Sequence, residues 1–313
     1  MDFYNEPLEQ IFTTIEKQLL LSDEVSFNIL NPDLYNIYVG TSIVIEAKEY
    51  IYRPLKAWID LAELLKCKML LPQPIKYPLV QITLKKLQRE NSFHSNIKKL
   101  PQNEKYGSNS IFSNIYKMEE PAFYYYYKEA LKNVKIQEKQ HILNLGVNRA
   151  DEFEVIKNLV DIDNFKQKTL VGIDFSTSAI KEASLKFKKD KNVVFYESDI
   201  NAIDTLSLGE FDLLISIGTL QSTTLNFKPF FMSLVQNYLH KKNSAIILGF
   251  PNSRWMGGEL IYGAKAPHYA MSEMGLVLSD MMFCKKYLQQ HHYRVTITGK
   301  YYLFLVGTKL KKP

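Results

Sequence analysis

Cysteine is scarce in this sequence, and long apolar runs are missing from it. Its 313 residues include two cysteines, Cys67 and Cys284, which lie far apart and outside any CxxC pair. The sequence therefore predicts neither a disulfide framework nor a metal site, and it favours a reducing cytoplasm. No apolar run approaches the roughly 20 residues that a membrane-spanning helix needs. The N-terminus has acidic residues where a secretory signal has basic ones, so neither membrane nor export is predicted.

An excess of charge of one sign is also nearly absent. The formal net charge is +6, and residues 1–110 carry 13 basic against 13 acidic side chains, so the excess lies in the remainder, with 26 against 20. A mild basic excess is compatible with an RNA partner, although many metabolic enzymes have as much. A hydrophobic fraction of 46% leaves ample material for a core.

The first 110 residues have the pattern of a small α+β domain. Residues 3–20 have apolar side chains at helical spacing, and a second helix is predicted after Pro54. Between them, Leu34–Val39 and Ser42–Ala47 have the composition of strands joined by a turn. The polar stretch 89–110 is predicted to be a linker or mobile loop.

The remainder, residues 111–313, opens with a helical stretch that contains four consecutive tyrosines, Tyr124–Tyr127. At most two of these can share one helix face, so the helix either packs between domains or lines a substrate pocket. From about residue 140, short apolar runs alternate with amphipathic helices. This alternation predicts a doubly wound, mostly parallel α/β sheet that ends in an antiparallel hairpin.

In such a sheet, ligands bind at the carboxyl ends of the strands, where the strand order reverses. The candidate cofactor-binding residues therefore follow the predicted strands. They are Asn144, Gly146, Asn148, Asp174, Phe175, Asp199, Ile200, Ser216 and Gly218. Glycine lets the backbone approach a ligand closely, and asparagine tolerates a left-handed turn.

The segments ILNLGVNRAD, VGIDFSTSAIKEA, VVFYESDI and FDLLISIGTL follow one another in the order of the nucleotide-binding motifs of class I S-adenosylmethionine-dependent methyltransferases. Residues 140–310 resemble that family, including its terminal hairpin. The resemblance implies that S-adenosylmethionine is the cofactor. It assigns the loop of Gly146 to the methionine part, Asp174 to the ribose, Asp199 with Ile200 to the adenine, and Ser216–Gly218 to the floor under the sulfonium.

The first motif departs from the family pattern of an acidic residue followed by three alternating glycines. Asn144 stands at the acidic position, and Asn148 and Ala150 replace the later glycines. Asn144 can form hydrogen bonds but brings no charge to balance the cofactor, and Asp151 is a candidate to compensate. A binding protein that has lost turnover is therefore an alternative to an active enzyme.

The methyl acceptor, a small molecule or a protein, is not specified by any motif. The segment 249–265 follows the fifth strand, a position that borders the acceptor pocket, and Arg254, Glu259 and Tyr262 are the candidate catalytic residues there, with His268 beyond them. The alternative for this segment is a structural loop. A second enzyme hypothesis is an RNA-modifying methyltransferase that uses basic side chains, including Lys309, Lys311 and Lys312, to bind phosphate.

Overall fold

The computed structural model describes residues 1–88, 101–222, 225–264 and 274–310. Contacts between Cα atoms divide the chain into two compact units. The first comprises Met1–Ser92 and Trp255–Ile261, and the second comprises Phe93–Arg254 and Tyr262–Pro313. The division lies earlier in the chain than the predicted boundary at residue 110. Among the helices that the structure describes, none combines the length and the apolar character needed to cross a bilayer.

The first unit packs two helices against a small antiparallel sheet. Its elements are α1 (Leu8–Leu21), β1 (Glu24–Leu30), β2 (Ser42–Ile45), β3 (Lys48–Ile51), α2 (Leu55–Leu64), β4 (Cys67–Met69), β5 (Gln73–Pro74) and β6 (Leu79–Lys86). The strand order is β1-β6-β4, with β5 also paired to β6, and β2 and β3 form a separate hairpin. Ile11 and Ile15 of α1 share the core with Phe27 and Trp58, because residues four apart lie on one helix face.

One strand prediction in this unit was wrong, and one strand was not predicted. Leu34–Val39 forms no strand, because Pro32 opens a short 3-10 turn, Pro32–Leu34, and the residues after it are unpaired in any sheet. The strand β1 was missed, although its side chains alternate between exposed and buried. The turn of the β2–β3 hairpin lies at Glu46 and Ala47, whose φ angles are +50° and +63°, and neither residue type signals a left-handed turn.

The second unit is a three-layer α/β structure. Its helices are α3 (Pro121–Asn133), α4 (Asp151–Leu159), α5 (Ile162–Gln167), α6 (Thr177–Lys186), α7 (Phe227–Ser233), which continues into a π-helical turn at Leu234–Tyr238, and α8 (Gly275–Gln290). Its strands are β7 (His141–Leu145), β8 (Thr169–Asp174), β9 (Val193–Glu197), β10 (Leu213–Ile217), β11 (Ala245–Pro251), β14 (Tyr293–Gly299) and β15 (Tyr302–Lys309). Two short strands, β12 (Ser253–Met256) and β13 (Glu259–Tyr262), have residues in both units.

Seven of these strands form one sheet in the order β14-β15-β11-β10-β7-β8-β9. β7 pairs in parallel with both β8 and β10, so the strand order reverses at β7 and a crevice opens at the carboxyl ends of β7 and β10. The central strands are buried on both faces, which explains their continuous apolar sequences. β15 runs antiparallel between β11 and β14, and this confirms the predicted terminal hairpin.

The tyrosine-rich helix α3 packs on the sheet of its own unit. Phe123 lies 5.4 Å from Phe304 and 5.0 Å from Tyr302, measured between ring centroids, and Tyr127 is fully buried. Tyr124 and Tyr125 are exposed. The four tyrosines thus point to different sides of the helix, as their consecutive spacing predicts.

Candidate functional site

The loop after β7 alternates between left-handed and ordinary backbone. Gly146, Asn148 and Ala150 have φ angles of +73°, +45° and +60°. These are the three positions at which the family pattern has glycine, so the loop keeps that conformation with one glycine left. A Cβ on Gly146 would lie 1.8 Å from Oγ1 of Thr219. Gly146 is therefore required by its packing against Thr219, a contact that sequence reasoning missed.

Asp174, at the end of β8, holds this loop in place. Its Oδ2 accepts a hydrogen bond from the Asn148 backbone N–H at 2.8 Å, and its Oδ1 accepts one from the Ser176 backbone N–H at 2.9 Å. Burial raises the pKa of Asp174, and these backbone hydrogen bonds act in the opposite direction. Each carboxylate oxygen has a second lone pair, so the group could still accept two hydroxyl groups.

The ends of β8 and β9 supply an apolar ring and a second carboxylate. Phe175 follows Asp174 and is 50% exposed. Asp199 is exposed, and its Oδ1 accepts a hydrogen bond from the Asn201 backbone N–H at 2.9 Å, which caps the 3-10 turn Ile200–Leu206. Ile200 is buried in the core behind it. One oxygen of Asp199 is thus engaged as a cap, while Phe175 offers a flat apolar surface.

The end of β10 forms the third side of the crevice. The Ser216 hydroxyl is buried and donates to the Leu145 carbonyl at 3.3 Å, which ties β10 to β7. Gly218 is exposed, with φ +76°, and a Cβ on it would lie 3.8 Å from the Tyr302 hydroxyl oxygen. Tyr302 therefore borders the crevice from β15, a position that sequence reasoning did not single out.

Asn144 lies inside the sheet next to this crevice. Its side chain is 1% exposed, and within the described ranges its Nδ2 has no hydrogen-bond partner. By strand alternation it points to the same face as Ile142, which is the face covered by α3 and α4. A buried amide donor without an acceptor is unfavourable by about 1–3 kcal/mol, so this group is suited to a ligand acceptor.

A covering segment, residues 102–119, crosses the ends of β7 and β8. Glu104 Oε1 accepts hydrogen bonds from the Ser178 backbone N–H at 3.1 Å and from the Ser176 hydroxyl at 3.3 Å. Asn148 Nδ2 donates to the Tyr106 carbonyl at 2.8 Å. Residues 101–110 fall in the predicted linker, but they belong to the second unit and form hydrogen bonds to its first loop and to α6. Residues 89–100 lie outside the described residues.

Beneath the covering segment, charged side chains gather around the first loop. They line a cleft together with Gly146 and Asn148, and the cleft is here named the first-loop cleft. Its charged members are Lys117, Arg149, Asp151 and Glu152. Burial raises the pKa of Glu152 to about 7, with Lys117 opposing that rise. In the described part of the chain, no group of three or more His, Cys, Asp or Glu side chains is arranged to hold a metal ion.

The predicted acceptor residues lie on a hairpin made by β12 and β13. Arg254 is on β12, and Glu259 and Tyr262 are on β13, where the Tyr262 hydroxyl contacts the Met274 sulfur at 3.1 Å. Glu259 is exposed and belongs, with the hairpin tip, to the first unit. His268, Lys311 and Lys312 lie outside the described residues. The roles of Arg254, Glu259 and Tyr262 stay predictions.

Residues 136–266 match the model of a family described as "Methyltransferase domain". The chain carries a methyltransferase domain. The match contains the first loop, Asp174, Asp199 and the end of β10. No curated protein matches the sequence. The family match confirms the prediction of a methyltransferase, and the strand order confirms the predicted doubly wound fold.

Several solved structures are similar to the chain. One is an S-adenosylmethionine-dependent methyltransferase from Aquifex aeolicus, with 13% identity and a TM-score of 0.41 over 59% of this chain and 89% of that one. A precorrin-6y C5,15-methyltransferase from Geobacter metallireducens has 11% identity and a TM-score of 0.41 over 59% and 86%. The magnesium protoporphyrin IX methyltransferase of Synechocystis, with bound S-adenosylmethionine, has 13% identity and a TM-score of 0.38 over 66% and 88%.

The side chains of this crevice fit S-adenosylmethionine in chemical type. Asp174 retains lone pairs for ribose hydroxyls, Phe175 offers an apolar face for a base, and the unpaired amide of Asn144 is a donor for a carboxylate. Gly146 and Gly218 keep Cβ atoms out of the crevice between β7 and β10.

Proposed function

We propose that the methyltransferase domain binds S-adenosylmethionine across the carboxyl ends of β7, β8 and β10 and transfers its methyl group to a small-molecule or protein acceptor. The observation that carries this proposal is the hydrogen-bonded contact between the first loop and the Asp174 carboxylate. Three left-handed residues place the Asn148 N–H on the Asp174 carboxylate, and the carboxylate remains able to bind a ribose.

The remaining crevice residues have distinct roles in this proposal. Asp199, Ile200 and Phe175 hold the adenine, and the loop of Gly146 holds the methionine part. Ser216 and Gly218 form the floor under the sulfonium. When bound, S-adenosylmethionine supplies an electrophilic methyl group for direct displacement, so the protein acts chiefly by aligning the acceptor and excluding water.

We further propose that the first unit takes part in acceptor recognition. The hairpin β12–β13 directly follows β11, and its tip Trp255–Ile261 belongs to the first unit. At that tip, a Cβ on Gly257 would lie 3.0 Å from the Gln88 backbone nitrogen, so the tip packs closely on the end of β6. Arg254, Glu259 and Tyr262 are the residues of this hairpin proposed to contact the acceptor.

An RNA acceptor is the second candidate. His240, Lys241, His291 and Lys309 line one cavity, a concentration of basic groups that could hold phosphate. A strongly salt-dependent affinity for tRNA or rRNA fragments would support this candidate, because phosphate contacts release counterions. We place the reaction in the cytoplasm, which is supported by Cys67 and Cys284, both buried and free of disulfides.

Calorimetric titration with S-adenosylmethionine and S-adenosylhomocysteine tests the cofactor site. Asp174→Asn keeps the size of the side chain but removes its charge and half its acceptors, so we expect an affinity loss of about 100-fold for two charge-assisted hydrogen bonds. The matched control is Asp163→Ala, at an exposed position of α5, which should bind like the wild type. Equal binding by the Asp174→Asn variant would refute the site.

Turnover is tested separately, by incubating the protein with labelled S-adenosylmethionine and cell extract. A labelled product that depends on Asp174 supports an enzyme. Cofactor binding without any labelled product would instead favour the alternative of a binding protein that has lost turnover.

A further inference from the structure

The first-loop cleft contains four charged side chains, and two of them already neutralise each other. Asp151 accepts from Arg149 at 3.4 Å and from Lys186 at 2.6 Å. Arg149 also donates to the Ser113 carbonyl at 2.8 Å, so it is held by the covering segment. Asp151, which the sequence suggested as the compensating acid, is therefore engaged with two cations and is poorly placed to serve a ligand.

Among the described residues, Glu152 and Lys117, unlike Asp151 and Arg149, form no direct ion pair. Glu152 is 8% exposed, and within the described residues neither it nor Lys117 forms an ion pair shorter than 4 Å. Lys117 lies on the covering segment, half-buried, with its ammonium nitrogen 5.4 Å from the centre of the Tyr302 ring. Tyr302 in turn borders Gly218. The cleft thus presents one carboxylate and one ammonium group, of opposite sign, beside the floor of the crevice.

The position of Glu152 relates it to the departure at Asn144. The Tyr127 hydroxyl donates to the Glu152 carbonyl at 3.3 Å, which fixes the start of α4 against α3. These helices cover the face of the sheet toward which Asn144 points. The acidic side chain that the family pattern has on β7 is replaced by a neutral amide with a buried, unpaired Nδ2, and a carboxylate stands instead at the start of α4.

We propose that Glu152 and Lys117 bind the amino-acid end of the cofactor: the Glu152 carboxylate takes the ammonium group, and Lys117, with the Asn144 amide, takes the carboxylate. This inference rests on the proposed function. A free amino-acid end is a zwitterion, and a carboxylate and an ammonium group that line one cleft without a direct ion pair are complementary to it. Glu152 thereby supplies the negative charge that Asn144 lacks.

The test compares two ligands that share a nucleoside. S-adenosylhomocysteine has the amino-acid end, whereas 5′-methylthioadenosine lacks it. Glu152→Gln should weaken binding of S-adenosylhomocysteine by about 10- to 100-fold, the effect of losing a charged hydrogen bond, and leave binding of 5′-methylthioadenosine within about twofold. The matched control is Glu154→Gln, on the same helix but with a 42% exposed side chain, which should leave both affinities unchanged.

Lys117→Met provides a second, independent variant. Lys117 lies on a short 3-10 turn of the covering segment, so its replacement leaves the sheet and the long helices unchanged. The variant therefore still tests the inference if Glu152→Gln fails to fold. It should show the same selective loss for S-adenosylhomocysteine. Unchanged affinities, or an equal loss for both ligands, would overturn the inference. A wild-type protein that binds neither ligand would overturn the proposed function and the inference with it, whereas one that binds only 5′-methylthioadenosine would overturn the inference alone.

Discussion

Gly146→Ala is the substitution for which the structure gives the most detailed expectation. A Cβ at this position would lie 1.8 Å from Thr219 Oγ1 and 2.7 Å from Thr219 Cβ, distances at which one of the groups must move. Threonine is β-branched and cannot easily rotate away. The φ of +73° adds the strain of a left-handed alanine, about 1–2 kcal/mol. With about 1–3 kcal/mol for overpacking, the expected loss of stability is about 2–5 kcal/mol.

Gly209→Ala separates these two contributions. Gly209 has a nearly equal φ of +79°, and a Cβ there would have no atom within 4 Å. Its substitution should therefore cost about 1–2 kcal/mol, the backbone strain alone. The difference between the two variants measures the contact of Gly146 with Thr219, and it should be at least about 1 kcal/mol.

Urea unfolding followed by far-ultraviolet circular dichroism is the assay. Both tryptophans, Trp58 and Trp255, belong to the first unit, so tryptophan fluorescence follows that unit and dichroism adds the helices of the second. Two separate transitions would require separate fits, because two-state analysis applies to one cooperative unit. If Gly146→Ala and Gly209→Ala differ by less than about 0.5 kcal/mol, the packing of Thr219 on Gly146 is not as described.

Two further predictions follow from charged groups of the same unit. Burial raises the pKa of Glu152 from 4.5 to about 7; Asp151 adds to this rise, and Lys117 and Lys186 oppose it. Between pH 4.5 and 7, the Glu152 carboxyl is therefore more often protonated in the folded than in the unfolded state. Stability of the wild type should therefore fall relative to Glu152→Gln as the pH rises from about 4.5 to 7, by about 2–3 kcal/mol in denaturant titrations, and parallel curves would contradict this. Glu104 accepts a hydrogen bond at the start of α6, and Glu104→Gln should weaken this contact by about 1 kcal/mol. The expected result is faster amide hydrogen exchange in residues 102–119. Unchanged exchange would show that Glu104 does not hold the covering segment in place.

The parallel sheet could be predicted because its strands carry a strong local signal. β7, β10 and β11 are continuous apolar runs buried on both faces, and glycine marks the ends of the first two. The order of the chain then placed Asp174 and Gly146 at one edge, since the carboxyl ends of parallel strands share an edge. Here the pattern in the sequence and the packing in the structure depend on the same property, hydrophobic burial.

The hairpin β12–β13 and the strand β1 carried weaker signals that were available. Gly257 and Gly258 form the turn between two four-residue strands, and this dipeptide is typical of hairpins, although the sequence analysis predicts no strands there. β1 alternates between exposed and buried residues. β12 and β13 have four residues each, too few for a clear alternation, whereas β1 has seven residues but follows closely on the helix-type spacing of α1.

The covering segment and the charges of the first-loop cleft could not be inferred with the same ease. Residues 102–119 contain polar residues and only short 3-10 turns, and their order comes from hydrogen bonds to α6 and to the first loop. Glu152 did leave a trace, because it lies three and four residues before the buried Val155 and Ile156 and so falls on the apolar face of α4. A carboxylate on an apolar face indicates a paired charge or a ligand site.

In the family pattern, the glycines of the first motif provide backbone shape and its acidic residue provides negative charge. The altered motif of this chain keeps the first property and loses the second. The backbone shape survives at Asn148 and Ala150, because Asp174 binds the Asn148 N–H and the Ala150 N–H donates to the Val147 carbonyl at 2.8 Å. Left-handed strain of about 1–2 kcal/mol at Ala150 is within what such contacts offset. The missing negative charge cannot be restored by backbone conformation, because the Asn144 amide does not ionise at any pH. A carboxylate must therefore come from elsewhere if an ammonium group is to be bound. In the first-loop cleft, Glu152 is the acid that forms no ion pair within 4 Å with a described cation.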